Sequence, residues 1–262
     1  MTDTPLDLAH AATEAAPQDD AARLRFYERL ADGELFLLLE AEPTDTNLQP
    51  RVFPLEDGPV VLVFDTEDRL AEFSGGVAPY AALPGRVIAQ TLAGQGVGLG
   101  LNLGVAPSAM ILPPDALAWL AATLGSTPQE VTARPDSFHA PTGLPDRLIE
   151  GLDAKLARAG GLAAMALLAG VTYQGGRRGH MLAFVDVAMG AEPALARAAA
   201  EALTFSGIEA GEMDVTFLAG SDAATAAMAR VALRFDLPQP LRAEPLAPAA
   251  PGSDPNKPPR LR

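Results

Sequence analysis

The chain has 262 residues, 48% of them hydrophobic and 20% charged, enough apolar material for one large domain or two ordinary ones with real cores. Its 33 acidic and 19 basic side chains give a formal net charge of -14, which repels phosphate backbones and anionic lipid surfaces and sets aside general nucleic-acid or membrane-surface binding. Cysteine is absent, so disulfides, thiol catalysis and thiolate metal sites are excluded.

Thr4 and Pro5 read as a helix start, a hydroxyl cap followed by a residue that loses no needed N–H in the first turn. A second helix begins near Gln18, with Leu24, Tyr27 and Leu30 or Ala31 on its apolar face and Phe26 beside it; Gly33 fits its end. Leu35 to Leu39 reads as a buried strand, and Arg51 to Leu55 and Val60 to Phe64 flank Glu56-Asp57-Gly58-Pro59 as a hairpin. Asp65-Thr66 caps a short helix with Leu70, Ala71 and Phe73, stopped by Gly75-Gly76. Tyr80 to Arg86 is read as a turn that feeds a helix with Val87, Ile88 and Leu92. Val97 to Leu103 and Ser108 to Leu112 read as strands, and Pro113 or Pro114 opens a helix ending at Gly125.

Residues 126–143 carry Pro128, Pro135 and Pro141 and lose all periodicity, so they are assigned as a linker. Leu144 to Ala159 is a helix with Leu148, Leu152 and Leu156 at spacing four; Leu162 to Tyr173 fits either a buried strand or a helix. Gln174 to Gly179 and Met181 to Val187 favour a hairpin. A helix from Ala191 to Ser206, a strand from Met213 to Leu218 and a helix from Asp222 to Leu233 follow. The organisation expected is α+β, two mixed domains over residues 1–125 and 144–236, each a small sheet with hairpins packed against helices. A Pro/Ala-rich tail over 237–262 is expected to be disordered.

Chemical motifs are scarce. In Gly94-Gln95-Gly96-Val97-Gly98-Leu99-Gly100 the dinucleotide fingerprint G-x-G-x-x-G fails, because Leu99 stands where the third glycine belongs. The run fits a helix end followed by a strand with close backbone approach. His10, His139 and His180 are too far apart for a local zinc motif, and no G-x-S-x-G elbow occurs. No catalytic residue, metal site or cofactor is therefore assigned. Asp186 interrupts an apolar strand; on a buried face it would need a partner, and on the wet face it is ordinary. Arg177 and Arg178 at a hairpin tip could take an anionic group, or simply solubilise the turn. Tyr80, Arg86 and Phe73 are candidates for a recognition patch, or for packing beneath the turn.

The hairpin Val52-Phe53-Pro54 … Val61 to Asp65, the segment Glu67 to Phe73, the block Tyr80 to Arg86 and Gly98-Leu99-Gly100-Leu101-Asn102 together resemble the SseB family N-terminal domain. Leu144 to Phe235 is similar, more weakly, to the SseB C-terminal domain. The resemblance implies a soluble bacterial protein from a family linked to serine sensitivity, whose biochemical activity is unsettled. Asn102-Leu103-Gly104 stands where the family's turn has asparagine-proline.

No Lys or Arg precedes Arg23, and the longest apolar stretch, Leu162 to Val171, is about half of the ~20 residues a spanning helix needs, so a cytoplasmic protein is expected. The leading expectation is a non-enzymatic interaction or regulatory protein that binds a protein partner or itself, through Tyr80, Arg86 and Phe73. The alternative is a small-molecule-binding protein or a disguised enzyme, with an interdomain cleft near Asn102, Asp186 or Arg177. A pocket gathering Asp186, Asn102 and an arginine would favour the second; an exposed apolar patch around Phe73 and Tyr80 would favour the first.

Overall fold

The computed structural model describes residues 3–43, 48–125, 134–207 and 213–239. Most of the expected tail and the first part of the expected linker lie outside the described residues. The first half runs α1 (Pro5–Ala15), α2 (Asp20–Asp32), β1 (Glu34–Leu38), β2 (Val52–Leu55), β3 (Gly58–Phe64), α3 (Glu67–Ser74), β4 (Tyr80–Pro84), α4 (Gly85–Leu92), β5 (Gly98–Leu101), β6 (Met110–Leu112) and α5 (Pro114–Gly125). The second runs β7 (Pro135–His139), α6 (Asp146–Leu156), β8 (Met165–Tyr173), β9 (Arg178–Val185), α7 (Glu192–Ser206), β10 (Met213–Leu218), α8 (Ala223–Met228) and β11 (Leu233–Asp236). Two mixed sheets result, ordered β4-β1-β3-β5-β6 with β2 on β3, and β10-β9-β8-β11 with β7 on β8. The fold is α+β in two parts, as expected.

Local chemistry sets the element ends. Thr4 accepts the Asp7 N–H while Asp7 accepts the Thr4 N–H, a closed capping box on α1. Thr66 caps α3 by accepting the Arg69 N–H, and Gly75 ends it at φ 70°, a conformation that glycine adopts without strain. The glycine-alternating run does two jobs. Gly94 and Gly96 take positive φ after α4, whereas Gly100 leaves room for Leu62 and Leu103, whose side-chain atoms stand 2.6 and 2.8 Å from where its Cβ would be. No phosphate loop is formed, since the later glycines lie in β5.

Three segments differ from the sequence expectation. Tyr80–Pro84 is not a turn but strand β4, antiparallel to β1. Its alanines and proline argue against a strand, and pairing with β1 overrides that propensity. Pro135–His139 lies in the expected linker but forms β7 against β8; the His139 ring occupies the space above Gly170 where a side chain would stand. Leu233–Asp236 is strand β11, where a helix reaching Leu233 was expected, and the helix itself stops at Met228. Leu162 to Tyr173, open between two readings, contains strand β8. Hairpins join β2–β3 and β8–β9, but β3–β5 and β9–β10 are parallel and joined through helices.

The two halves share a core order. In the first, α2, β1, β3, α4 and β5 give an antiparallel pair followed by a parallel one; in the second, α6, β8, β9, α7 and β10 do the same. An antiparallel outer strand, β4 or β11, lies beside β1 or β8. Each sheet buries one face against its long helices: Leu35, Leu37, Val61 and Val63 pack with Phe26, Leu30 and Ile88, while Leu168, Leu182 and Phe184 pack with Leu152, Leu195 and Ala199. The opposite faces are covered by the short helices, through Leu70 of α3 and Met228 of α8. The long helices of the two halves meet, and Phe205 of α7 belongs to the first core. Leu237, placed at the start of the expected tail, is buried in the second core. Among the described residues no helix is long and apolar enough to cross a membrane.

Candidate functional site

The outer face of the first sheet carries a row of aromatic rings. Phe53 lies 6.4 Å from Phe73, and Phe73 lies 5.2 Å from Phe64, centroid to centroid. Phe64 stands opposite Phe36 in the β1–β3 register, and Phe36 lies 5.5 Å from Tyr80. Strand alternation explains the row: Phe36 and Leu38 of β1, Val60, Leu62 and Phe64 of β3, and Tyr80 of β4 point to the side opposite the long helices. One short helix, α3, covers that side only in part, so Phe73 and Tyr80 are each 37% exposed and neighbouring Val77 is fully exposed. Edge-to-face ring contacts favour this arrangement, and the Arg51 guanidinium lies over Phe53 at 5.1 Å.

The surroundings of Tyr80 are acidic. Its hydroxyl donates to Glu67 at 2.6 Å, and this bond, partial burial and the nearby charges of Glu67, Glu42 and Glu34 hold the phenol protonated beyond its usual range. The structure thus brings Phe73 and Tyr80 to one face. Arg86 stands elsewhere, on α4 at the meeting of the halves, where it pairs with Asp32 at 2.5 Å and Glu201 at 3.1 Å.

The ligand candidates Asn102, Asp186 and Arg177 are not gathered in a pocket. Asn102 is fully buried and holds φ 48°; its side-chain carbonyl accepts the Asp65 N–H and its amide donates to Ser108. Ser108 donates to Asp7, and Arg69, buried among them, pairs with Asp7 and with Asp65 at 2.7 Å. Burial alone would raise the Asp7 carboxyl, but the Arg69 and Ser108 bonds outweigh it and hold it well below the usual range. Arg69 and Ser108, which the sequence reading passed over, lock α1 onto the ends of the parallel strands β3 and β5. Asp186 sits just past β9, exposed at φ 52°, accepting the Gly220 N–H at 2.7 Å. Arg177 lies over Tyr173 at 4.0 Å and pairs with Asp214 at 2.9 Å.

A second buried charge cluster joins the halves. Lys155 of α6, 6% exposed, lies 3.0 Å from Asp32, 3.1 Å from Glu201 and 3.6 Å from Glu28. Burial raises Asp32, but Lys155 and Arg86 outweigh it and hold the carboxyl below its usual range. Burial raises Glu28 and Lys155 only partly offsets it, so that carboxyl stays high. Above this cluster a crevice of about 280 Å³ opens between α2 and α6–α7, with Arg25, Arg29, Arg147, Glu150 and Ser206 in its walls. Arg25 is paired with Glu150, while Arg29 and Arg147 make no ion pair with a described residue. No group of three or more acidic, histidine or cysteine side chains among the described residues could hold a metal ion.

The first half is therefore a mixed α+β domain with one face packed on long helices and an aromatic face left half covered. Residues 8–119 match the family model of the SseB protein N-terminal domain, and the chain carries that domain. The match ends before the second half, so the expected SseB C-terminal domain rests on sequence resemblance alone. No curated protein and no solved structure matches the chain.

Proposed function

We propose that the protein acts without catalysis, as an interaction or regulatory protein that docks a protein partner on the aromatic face of its first sheet. The observation that carries this reading is the row from Phe53 through Phe73, the buried Phe64, and Phe36 to Tyr80, which is exposed at Phe73 and Tyr80 and has the carboxylates Glu67, Glu42 and Glu34 at its Tyr80 end. Exposed aromatic rings with a polar rim are the composition of protein interfaces. Arg86, bound between the halves, is not part of this face.

The test is a photo-crosslinking residue at Val77, which is fully exposed beside Phe73. The expected result is one dominant cross-linked protein in native cells, lost in Tyr80→Ala while the variant still folds and melts cooperatively. Diffuse cross-linking that Tyr80→Ala leaves unchanged would overturn the reading, and so would turnover of a substrate by the purified protein. A second reading, a small anionic ligand in the crevice, is favoured only by Arg29 and Arg147. It predicts a saturable rise in melting temperature with inorganic phosphate that Arg29→Gln abolishes; no rise would remove it.

A further inference from the structure

The geometry points to strand addition at the free edge of β4, by an extended, positively charged segment of a partner protein. This deepens the proposed function and rests on it, naming how the aromatic face is engaged and by what chemistry.

The direction of the β4 backbone carries the first part. Leu39 donates to the Pro79 carbonyl and Gly85 donates to the Gly33 carbonyl, so the hydrogen-bonded pairs between β1 and β4 are 39/79, 37/81, 35/83 and 33/85. Ala81 and Leu83 therefore turn their N–H and C=O groups toward β1, and Tyr80 and Ala82 turn theirs away from the sheet. No described residue donates to or accepts from those outward groups. β4 ends the strand order, so nothing in the sheet covers that edge. Pro84 lacks an N–H and the chain turns there into α4, so the open stretch has two rungs, Tyr80 and Ala82.

Edges of this kind are usually blunted by charge. Tyr80-Ala81-Ala82-Leu83-Pro84 carries none, whereas β10, at the end of the other sheet, carries Asp214. The side chains beside the open backbone complete the site. Ala81 and Leu83 pack into the helix-side core, leaving Tyr80, Ala82 and Pro84 on the aromatic face next to Phe36. An added strand would set every second side chain against Tyr80 and Ala82.

Charge selects the occupant. Glu34, opposite Pro84 on β1, shares this face, and Glu67 and Glu42 stand close enough to Tyr80 to act on its phenol. A second copy pairing edge to edge would bring the same carboxylates together, on a chain of net charge -14. A segment alternating lysine or arginine with apolar residues meets them with opposite charge.

The test is titration of the isotope-labelled full chain with the blocked peptide acetyl-Lys-Val-Lys-Val-Lys-amide, followed by amide NMR and hydrogen exchange. The expected result is saturable shifts and slowed exchange at the Tyr80 and Ala82 amides. A peptide with Glu for Lys, and one N-methylated along its backbone, should each bind at least about tenfold more weakly. Ala82→Pro removes an outward N–H without touching a bond to β1, and should keep the melting temperature while losing the peptide. If Ala82→Pro melts early, the N-methylated peptide decides in its place. No shift at Tyr80 and Ala82 at low-millimolar peptide, or equal binding of the N-methylated peptide, overturns strand addition. Should Tyr80→Ala weaken the Val77 cross-link while Ala82→Pro leaves it intact, strand addition falls and the aromatic-face reading stands; if neither weakens it, both fall.

Discussion

Lys155→Met tests whether the charge cluster, rather than apolar contact alone, holds the two halves together. The substitution keeps the aliphatic stem near Phe205, whose ring lies 5.7 Å from the ammonium, and removes only the charge and its donors. Asp32 and Glu201 would be left with Arg86, whose side chain is 33% exposed, and Asp32 also with the half-exposed Arg158; Glu28 would lose its only ion-pair partner among the described residues. Breaking a buried pair by removing one partner costs about 3–5 kcal/mol, and Lys155 serves three carboxylates, so the upper half of that range is expected. For a chain of this size that is a fall of roughly 10 °C or more in melting temperature. Calorimetry at neutral pH measures it, and a split into two transitions would show the halves uncoupling. Asp32 takes up its proton at lower pH in the fold than in the unfolded chain. Its contribution is therefore full above the ordinary aspartate range and fades as pH falls through the depressed value, and the gap between parent and variant should close over that window. A variant that melts within a degree or two of the parent at neutral pH refutes the reasoning.

Glu28→Gln should act in the opposite sense. A carboxyl whose value is raised in the fold disfavours folding when charged, so the variant should match or exceed the parent at neutral pH and lose that advantage as pH falls, read from paired thermal melts. Arg69→Met strands Asp7 and Asp65 without a cation and should cost about 3–5 kcal/mol by urea unfolding, against about 1 kcal/mol for Ser108→Ala. Asn102→Gly keeps the positive φ and loses the two side-chain bonds, so it should be less damaging than Asn102→Val, which loses both; equal melting temperatures would refute the backbone argument. Gly85→Ala places a Cβ 1.9 Å from the Leu30 carbonyl oxygen, and the expected outcome is loss of soluble, cooperatively melting protein.

Elements written in strong local chemistry were legible in the sequence. The β2–β3 hairpin, whose turn is Glu56-Asp57 with Gly58 and Pro59 already in β3, the Thr66 cap, Gly75 and the spacing of Leu148, Leu152 and Leu156 each give a periodic or conformational signal that no distant residue overrides. β4, β7 and β11 were not legible, because each owes its conformation to a partner strand far along the chain: β4 to β1, β7 and β11 to the two ends of β8. Phe73 and Tyr80 could be singled out as an aromatic pair, but their link through Phe64 and Phe36 needs the register of three strands. Arg86 illustrates the limit. It stands six positions after Tyr80, yet the start of α4 turns it to the side where Glu201 waits. The sequence did hold one signal for the junction: Lys155 is one of two lysines among 19 basic residues. A compact ammonium suits a point shared by several carboxylates better than a planar guanidinium fork does.

The like-built halves meet through unlike charges: α2 brings Glu28 and Asp32, and its counterpart α6 brings Lys155; α4 brings Arg86, and its counterpart α7 brings Glu201. Synthesis makes the two sides of this junction at different times. Before α6 and α7 are in place, Asp32 has only Arg86 of its own half within ion-pair distance and Glu28 has no cation there among the described residues. Glu28 therefore gains its partner only when the second half docks, so the charge match rewards pairing with the chain's own later half.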